Sequence, residues 1–599
     1  MDNSFDVPAM GRPASGARRL AFHFLFLLAI YMPLPIQAMA GMESSGEFIS
    51  PDEIVPGMKG YGLTVFQGTE PESFVVEAVG VMKNGMPKQD LVIIFMDDPK
   101  LIESNVTAGM SGSPIYFNGR LLGALAYGPI FSKKPIAYVT PIQNMLRELD
   151  RPQEPARSWQ RVSRMAEMME PGHFRAEARP SAGAVVPVTS TLAVSGFSAA
   201  RFKLLEKWFA PYGLIPVAAG GSDPNSSDGP SAFLPGSAIG VQLMSGDMGL
   251  TAIGTVTHVD HGGRVLAFGH PFFNIGQTAM PATTARVHTF MPSTYISYKL
   301  ASPIRMMGSM VQDRQPAIVI DPNQTSPTVP VTVRVENTQT GRQETYRYRV
   351  IREDGLTPFL AFVGLSEALD VAEAGPMSTD RAFDIHSRIR LGGRSNPVDL
   401  RDVSPSPYKT LFDLLMLTSN GVAEAIPTEF EFDVKVTNRS RIAWITGAKS
   451  AGRRYLPGDR VPITVRFRNQ DGEESDLDAG FTLPGVVQGR IADLEIRGGY
   501  GFSQQEAQPA TLNQVVSLME KRPRGNDLIV RLLQAQPAYA QSGVVLQNMP
   551  GFFQRIVQGG VQGTPPSVVQ PPYETFPTEW VILGAQRLQV EIESEGKPR

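Results

Sequence analysis

A serine framed by glycines is the first feature of this sequence that could do chemistry. Residues 107–117 read TAGMSGSPIYF, and strand-like apolar runs, Leu91–Met96 and Leu121–Ala126, lie on either side. Glycine tolerates positive φ, so such a loop can aim backbone N–H groups at one point beside an exposed hydroxyl. Acyl transfer needs that combination of a nucleophile and oxyanion donors. Ser111 is therefore the candidate nucleophile, and an ordinary glycine-rich hairpin is the alternative.

A serine nucleophile needs a base, and one of the seven histidines stands apart. His270 follows an apolar strand and a glycine in the run Leu266–Phe272, LAFGHPF. A histidine at a strand end is placed to face a cleft as a general base, and a partly buried structural histidine is the alternative. His258 and His261 precede it, but the spacing H-x2-H-x8-H matches no common zinc pattern. We therefore expect no metal site.

A carboxylate that orients the base is the third requirement of this chemistry. Asp97 and Asp98 close the apolar strand shortly before the serine and are followed by Pro99. An Asp-Pro pair is also a common turn starter, which is the alternative interpretation. The pattern alone does not choose between Asp97 and Asp98.

Composition bounds the fold class and the partners. The chain has 599 residues, enough for several domains, and its 42% hydrophobic and 19% charged content is that of a globular protein. Abundant glycine and proline between short alternating apolar runs predict a mainly β protein. The formal net charge of −3 favours neither nucleic acid nor an anionic membrane. Cysteine is absent, so no disulfide stabilises the fold.

The N-terminus has the pattern of a secretory signal. Arg18 and Arg19 precede an apolar run from Leu20 to Ile36, and Ala38-Met39-Ala40 offers a cleavage site before Gly41. The run is short for a membrane span and contains two prolines, which argues against an uncleaved anchor. We expect export to the periplasm, the cell envelope or the exterior, without stable membrane insertion after signal cleavage.

The chain divides by composition and pattern into seven segments. They are a signal peptide at 1–40, a β domain with the serine loop at 41–150, a linker at 151–185, a β domain with the histidine at 186–320, a mixed α/β connecting region at 321–424, a β-sandwich-like module at 425–500, and a C-terminal helix with a Pro/Gly-rich tail at 501–599.

These motifs resemble a known family. GMSGSPI at 109–115 is similar to the nucleophile loop of the SpoIVB-type serine peptidases, the family of stage IV sporulation protein B in the chymotrypsin-like clan. GTVT at 254–257, followed by LAFGH at 266–270, resembles the block that carries the family's histidine. PGMKGYGLTVFQG at 56–68 resembles the opening of secreted bacterial relatives.

The resemblance implies a role for each candidate residue. Ser111 would be the nucleophile, His270 the general base and Asp98 the orienting acid. The N–H groups of Gly109 and Ser111 would form the oxyanion hole, and Ser113 is the fallback nucleophile. No cofactor is implied.

The order of these residues departs from the family, in which the histidine comes first and the serine last. Here Asp98 and Ser111 precede His270, as in a circular permutation, which is permissible because geometry defines a triad. The resemblance then implies a chymotrypsin-like two-barrel unit built from two separated segments. The predicted function is a secreted or periplasmic SpoIVB-like serine endopeptidase that forms an acyl-enzyme with protein substrates, and the chain itself is one candidate substrate. The alternative is an inactive peptidase-fold scaffold or binding protein of the cell envelope.

Overall fold

The structure, a computed structural model, describes residues 46–129, 132–152, 185–221, 229–372, 381–485, 490–502, 509–533, 538–541, 544–546, 567–569 and 572–593. The predicted signal peptide lies outside these residues, as do most of the linker and much of the C-terminal tail. Among the residues described, no helix has both the length and the apolar character needed to cross a membrane.

The first described segment forms a closed barrel. Its strands β1 to β6 span Lys59–Thr64, Glu72–Met86, Gln89–Met96, Pro114–Phe117, Arg120–Pro129 and Ile136–Pro141. They follow the order β4-β1-β2-β3-β6-β5, and pairing of β4 with β5 closes this ring of six described strands. Helix α1, Pro99–Ser104, follows β3, and helix α2, Ile142–Leu146, follows β6. The predicted strands on either side of the serine loop are confirmed as β3 and β5.

A second ring follows in the chain. The next elements along the chain are β7 (Val185–Pro187), β8 (Ser190–Ser195), α3 (Ala199–Phe209), β9 (Leu214–Ala218), β10 (Ala238–Gly246), β11 (Gly249–Val259), β12 (Val265–Ala267), β13 (Gly276–Met291), β14 (Tyr298–Arg314) and β15 (Ala317–Asp321). Strand β7 pairs with β5 and belongs to the sheet of the first barrel. Strands β10-β13-β14-β15-β12-β11 are neighbours in that order, and β10 also pairs with β11, so these six described strands close on themselves. The predicted mainly β, two-barrel architecture is confirmed.

The sheet of the second ring extends well beyond it. Its further elements are β16 (Thr328–Asn337), β17 (Gln343–Ile351), α4 (Leu356–Val371), β18 (Ala382–Leu391), β19 (Val398–Ser404), α5 (Tyr408–Thr418) and β20 (Pro427–Thr437). Helix α4 is apolar on all sides and is buried along nearly its whole length, as such a helix must be. Strand β20 pairs in parallel with β16, so it belongs to this sheet and not to the predicted module at 425–500. The alternation of apolar and polar residues in β20 indicates a half-buried strand, but it does not identify the strand with which β20 pairs.

The C-terminal region is a β-sandwich whose bounds differ from the predicted ones. The elements of the region are β21 (Ile442–Ser450), β22 (Arg454–Tyr455), β23 (Arg460–Asn469), β24 (Glu474–Thr482), β25 (Ile491–Gly498), α6 (Leu512–Glu520), β26 (Asp527–Leu533), β27 (Ala538–Gln541), β28 (Val544–Leu546), β29 (Ser567–Val569), β30 (Tyr573–Pro577), β31 (Val581–Leu583) and β32 (Ala585–Ile592). Strands β28-β27-β29 form a small sheet of their own. Sheets β24-β23-β21-β31 and β22-β32-β25-β26-β30 share one apolar core. The C-terminal region therefore completes the sandwich instead of trailing from it.

Candidate active site

The serine loop is a tight turn at the start of β4. Gly109 and Gly112 adopt φ values of +89° and +97°, which favour glycine. The Met110 carbonyl accepts hydrogen bonds from both the N–H and the Oγ of Ser113, at 2.9 and 2.7 Å. The Ser113 hydroxyl thus closes the turn, while Ser111 lies fully buried in the middle of the loop.

The second barrel holds this loop through the threonines of β11. The Thr255 N–H donates to the Ser111 carbonyl at 2.9 Å, and its Oγ1 donates to the Gly109 carbonyl at 3.0 Å. The Thr257 Oγ1 donates to the Gly112 carbonyl at 2.7 Å. The structure therefore joins the two sequence segments that the resemblance identified, and it joins them at the serine.

Gly112 packs closely against the second barrel at this junction, and Gly112→Ala should destabilise the protein. A Cβ there would lie 1.9 Å from the Thr255 carbonyl oxygen and 2.6 Å from the Phe268 nitrogen. Overpacking adds to the strain of the positive φ, so we expect the free energy of unfolding to fall by about 2 to 5 kcal/mol. Urea denaturation followed by circular dichroism measures it.

Gly119→Ala is the matched control, because Gly119 also has a positive φ, +73°, but a Cβ there meets nothing within 4 Å. This substitution should lower the free energy of unfolding only by the backbone strain, about 1 to 2 kcal/mol. Equal losses in the two variants would contradict a close contact of the barrels at Gly112.

The backbone turns sharply before the candidate base. Phe268 and Gly269 both have left-handed φ values, +70° and +73°, and a buried aromatic residue in that region is strained. The Gly269 carbonyl accepts a 2.7 Å hydrogen bond from the Thr140 hydroxyl of the first barrel. This turn places His270 at the junction, with its ring centroid 6.3 Å from that of Tyr127 of the first barrel.

The ring of His270 is buried and has a defined tautomer. Its Nδ1 lies 2.8 Å from the Pro271 carbonyl oxygen, which can only accept, so Nδ1 carries the proton. Nε2 is buried and has no hydrogen-bond partner among the described residues. Burial lowers the pKa of His270 to about 4, and the carbonyl groups of Pro271 and Val188 partly offset that lowering. The ring is therefore neutral at pH 7, with a free lone pair on Nε2.

The nucleophile and the base are not hydrogen-bonded to each other among the described contacts. The Ser111 Oγ lies 3.4 Å from the Ser190 Oγ instead. The Gly109 N–H, one of the two predicted oxyanion donors, donates to the Thr189 carbonyl at 3.0 Å. Two consecutive residues therefore contact the predicted groups: Thr189, which precedes β8, and Ser190, its first residue.

The structure does not bring Asp98 to the imidazole. Asp98 caps helix α1, and its Oδ1 accepts from the Lys100 N–H at 3.0 Å. Asp97 is exposed, 3.7 Å from the Lys59 ammonium. The Asp-Pro pair therefore forms a turn at the end of the strand, which was the alternative interpretation of this motif. The Pro271 carbonyl, and not a carboxylate as predicted, accepts the hydrogen bond that orients the imidazole.

Asp313 holds the loop that follows the histidine, and the sequence did not single it out for this role. This fully buried carboxylate accepts from the N–H groups of Phe272 and Phe273 at 2.7 Å each and of Ile275 at 3.2 Å. Burial raises the pKa of Asp313, while these donors act to lower it. In the sequence Asp313 lies in the polar run Gln312–Arg314 at the end of β14, and no motif there marks it.

A buried lysine supports the serine loop from beneath. The Lys299 Nζ donates to the Thr64 and Thr255 hydroxyls at 2.8 and 3.2 Å, and its side chain lies against Gly109. Burial lowers the pKa of Lys299 to about 7. The hydrogen-bonded chain Lys299–Thr255–Gly109 links this amine to the predicted oxyanion loop.

This amine should make the protein more stable at alkaline pH. The unfolded lysine binds a proton up to about pH 10, whereas the folded one releases it near pH 7, so stability rises with pH between these values. From pH 7 to pH 9 we expect a gain of about 2 to 3 kcal/mol, visible as a higher melting temperature.

Lys299→Met should lose this rise, because methionine does not titrate. Lys203→Met, at an exposed position of α3, is the control and should keep it. A melting temperature that rises with pH as much in Lys299→Met as in the wild type would contradict the assignment.

The other two histidines of the H-x2-H-x8-H pattern, His258 and His261, lie outside the candidate site. His258 has its Nδ1 3.8 Å from a Glu47 oxygen and packs edge-on against Phe48, and burial lowers its pKa. His261 is exposed in the following turn. Within the described ranges, no three His, Asp or Glu side chains gather as metal ligands would.

Comparison with known proteins supports the assignment of the serine segment. The model of the family described as SpoIVB peptidase S55 matches residues 47–146, which include the whole first ring and the serine loop. The comparison with curated proteins found no match, and neither did the comparison with solved structures. Residues 47–146 are thus similar in sequence to the SpoIVB peptidase S55 family.

Proposed function

We propose that the chain is an exported serine endopeptidase that acts on protein or peptide substrates through an acyl-enzyme. Ser111 is the nucleophile and His270 the general base, and the N–H groups of Gly109 and Ser111 are the oxyanion donors. The observation that carries the proposal is the barrel junction. There the serine loop is bonded to β11 of the second barrel, whose β12 leads into a neutral histidine with an unpartnered Nε2.

The chemistry follows from these groups. His270 Nε2 accepts the proton of the Ser111 hydroxyl as the oxygen attacks the substrate carbonyl. The oxyanion accepts from the loop N–H groups, and the protonated ring then donates to the leaving amine. Water hydrolyses the ester by the reverse sequence. The Pro271 carbonyl keeps the proton on Nδ1, and Asp313 fixes the loop that carries this carbonyl.

Export rests on the signal pattern of residues 1–40, with cleavage before Gly41. The mass of the chain recovered from the periplasm or the medium tests it, and retention of the apolar segment would argue for an anchor.

A library of peptides from a digested proteome tests the activity. Cleavage of the library peptides creates new peptide termini, which mass spectrometry identifies. These termini should appear after incubation with the wild-type chain and not with the Ser111→Ala chain. The same termini in both samples would point to a contaminating protease.

The non-catalytic alternative has one observation in its favour: Gly109 and Ser111 already have partners in residues 189 and 190. A wild-type chain that produces no termini, even when this segment is displaced, would favour a binding protein.

A further inference from the structure

Residues Val185–Ser190 cross the candidate site as an extended peptide. Residues 185–187 pair antiparallel with the end of β5, at Tyr127–Pro129. The Val188 N–H continues this ladder by donating to the Ala126 carbonyl at 2.8 Å. An extended peptide that adds a strand to a sheet edge is a common way for proteins to bind peptides.

The end of this segment touches three of the groups that the proposed chemistry uses. The Thr189 carbonyl accepts from the Gly109 N–H, and the Ser190 Oγ lies 3.4 Å from the Ser111 Oγ. The Val188 carbonyl interacts with the His270 ring. An incoming peptide carbonyl needs the same N–H and the same space, so segment and substrate exclude each other.

A side chain anchors the segment in the groove. Val188 is buried in the core of the first barrel, in the same cluster as Met110 of the serine loop and Leu125 of β5. Its neighbour Pro187 is exposed. The pocket under Val188 therefore takes a compact, branched apolar side chain, while the preceding position faces solvent.

We propose that the β5 edge and the serine loop form a peptide-binding groove, and that Val185–Ser190 fills it as an internal competitor of substrate. This inference rests on the proposed function. The segment blocks Ser111 in the closed form, and its withdrawal exposes the nucleophile. Peptides that displace it resemble its sequence, with a valine-like side chain in the pocket of Val188.

The blocking can be measured without any catalysis. Because the chain has no cysteine, Ser111→Cys introduces a single thiol whose reaction with Ellman's reagent reports access to the site. Adding Val188→Ala removes most of the anchor and should speed this reaction about tenfold or more. Adding Pro187→Ala, at the exposed neighbour, should leave the rate unchanged.

A peptide supplied from outside tests the groove directly. Acetyl-Val-Val-Pro-Val-Thr-Ser-amide should slow thiol labelling in the Val188→Ala background, and the same peptide with aspartate at its fourth position should not. Equal rates with and without Val188→Ala in folded protein would overturn the proposal, as would equal effects of the two peptides.

Hydrogen exchange on the unmodified chain covers the case in which Val188→Ala does not fold. Local withdrawal opens the Val188 N–H but not the Thr255 N–H at the barrel junction, so the Val188 amide should exchange about 100-fold faster or more. Equal exchange would make the segment part of the core and refute the proposal. None of these readouts needs hydrolysis. The groove proposal can therefore be correct even if the peptidase assay detects no activity, and the peptidase proposal can be correct even if the groove proposal fails.

Discussion

We expect Ser111→Ala to abolish peptide hydrolysis and to leave the fold intact. Removal of the nucleophile should lower kcat on the order of 10⁴-fold or more, because the remaining groups cannot form the acyl-enzyme. The fold tolerates the change because the only described bond of the Ser111 Oγ is the long one to Ser190. The rate of substrate cleavage and the melting temperature, measured on one preparation, test both halves of this prediction.

Ser113→Ala is the control for this experiment. It removes the hydroxyl that closes the turn onto the Met110 carbonyl, but that carbonyl keeps the Ser113 N–H as a donor. We expect a loss of about 1 kcal/mol in stability and continued hydrolysis. Activity that survives Ser111→Ala and disappears in Ser113→Ala would move the nucleophile to Ser113.

His270→Ala should inactivate the chain almost as completely. Without the imidazole, nothing accepts the serine proton, so kcat should fall on the order of 10⁴-fold. The wild-type pH profile carries a second signature. Because the pKa of His270 lies at about 4, the lone pair on Nε2 persists in mild acid and is lost by protonation below that value. The acid limb of kcat/KM should therefore fall near pH 4 instead of near pH 6.5.

The controls are His258→Ala and His261→Ala, which change histidines outside the site and should leave kcat within a few-fold. If all three alanine variants lost activity equally, a shared metal site would replace the serine mechanism. An acid limb near pH 6.5 would instead show that the ring is solvated in the working enzyme.

The serine loop and the histidine turn were predictable because their glycines demand a specific backbone. Gly109 and Gly112 take positive φ values, and Gly269 packs against Ala124 and Ala126 of the first barrel, where a Cβ would collide. Such constraints are local and can be read from a short motif. The strands around them were predictable for the same reason, since their apolar runs and turns are local signals.

The remaining parts of the site depend on which segments meet, which a local pattern does not encode. The Asp-Pro pair became a helix cap, and a backbone carbonyl orients the imidazole. Lys299 and Asp313 carry no motif in the sequence, and only the contacts of β14 with the serine loop and the histidine turn show their roles. Likewise β20 alternates as any half-buried strand does, and only its pairing with β16 assigns it to the large sheet.

The most direct measurement is the reaction of the purified chain with a fluorophosphonate, with the modified residue located by mass spectrometry. The probe forms a stable adduct with a serine that a neighbouring base activates. We expect an adduct on Ser111 in the wild type, faster formation in Val188→Ala, and none after His270→Ala. An adduct on another serine, an adduct that persists after His270→Ala, or no adduct in either the wild type or the folded Val188→Ala chain would contradict a serine activated across the two barrels.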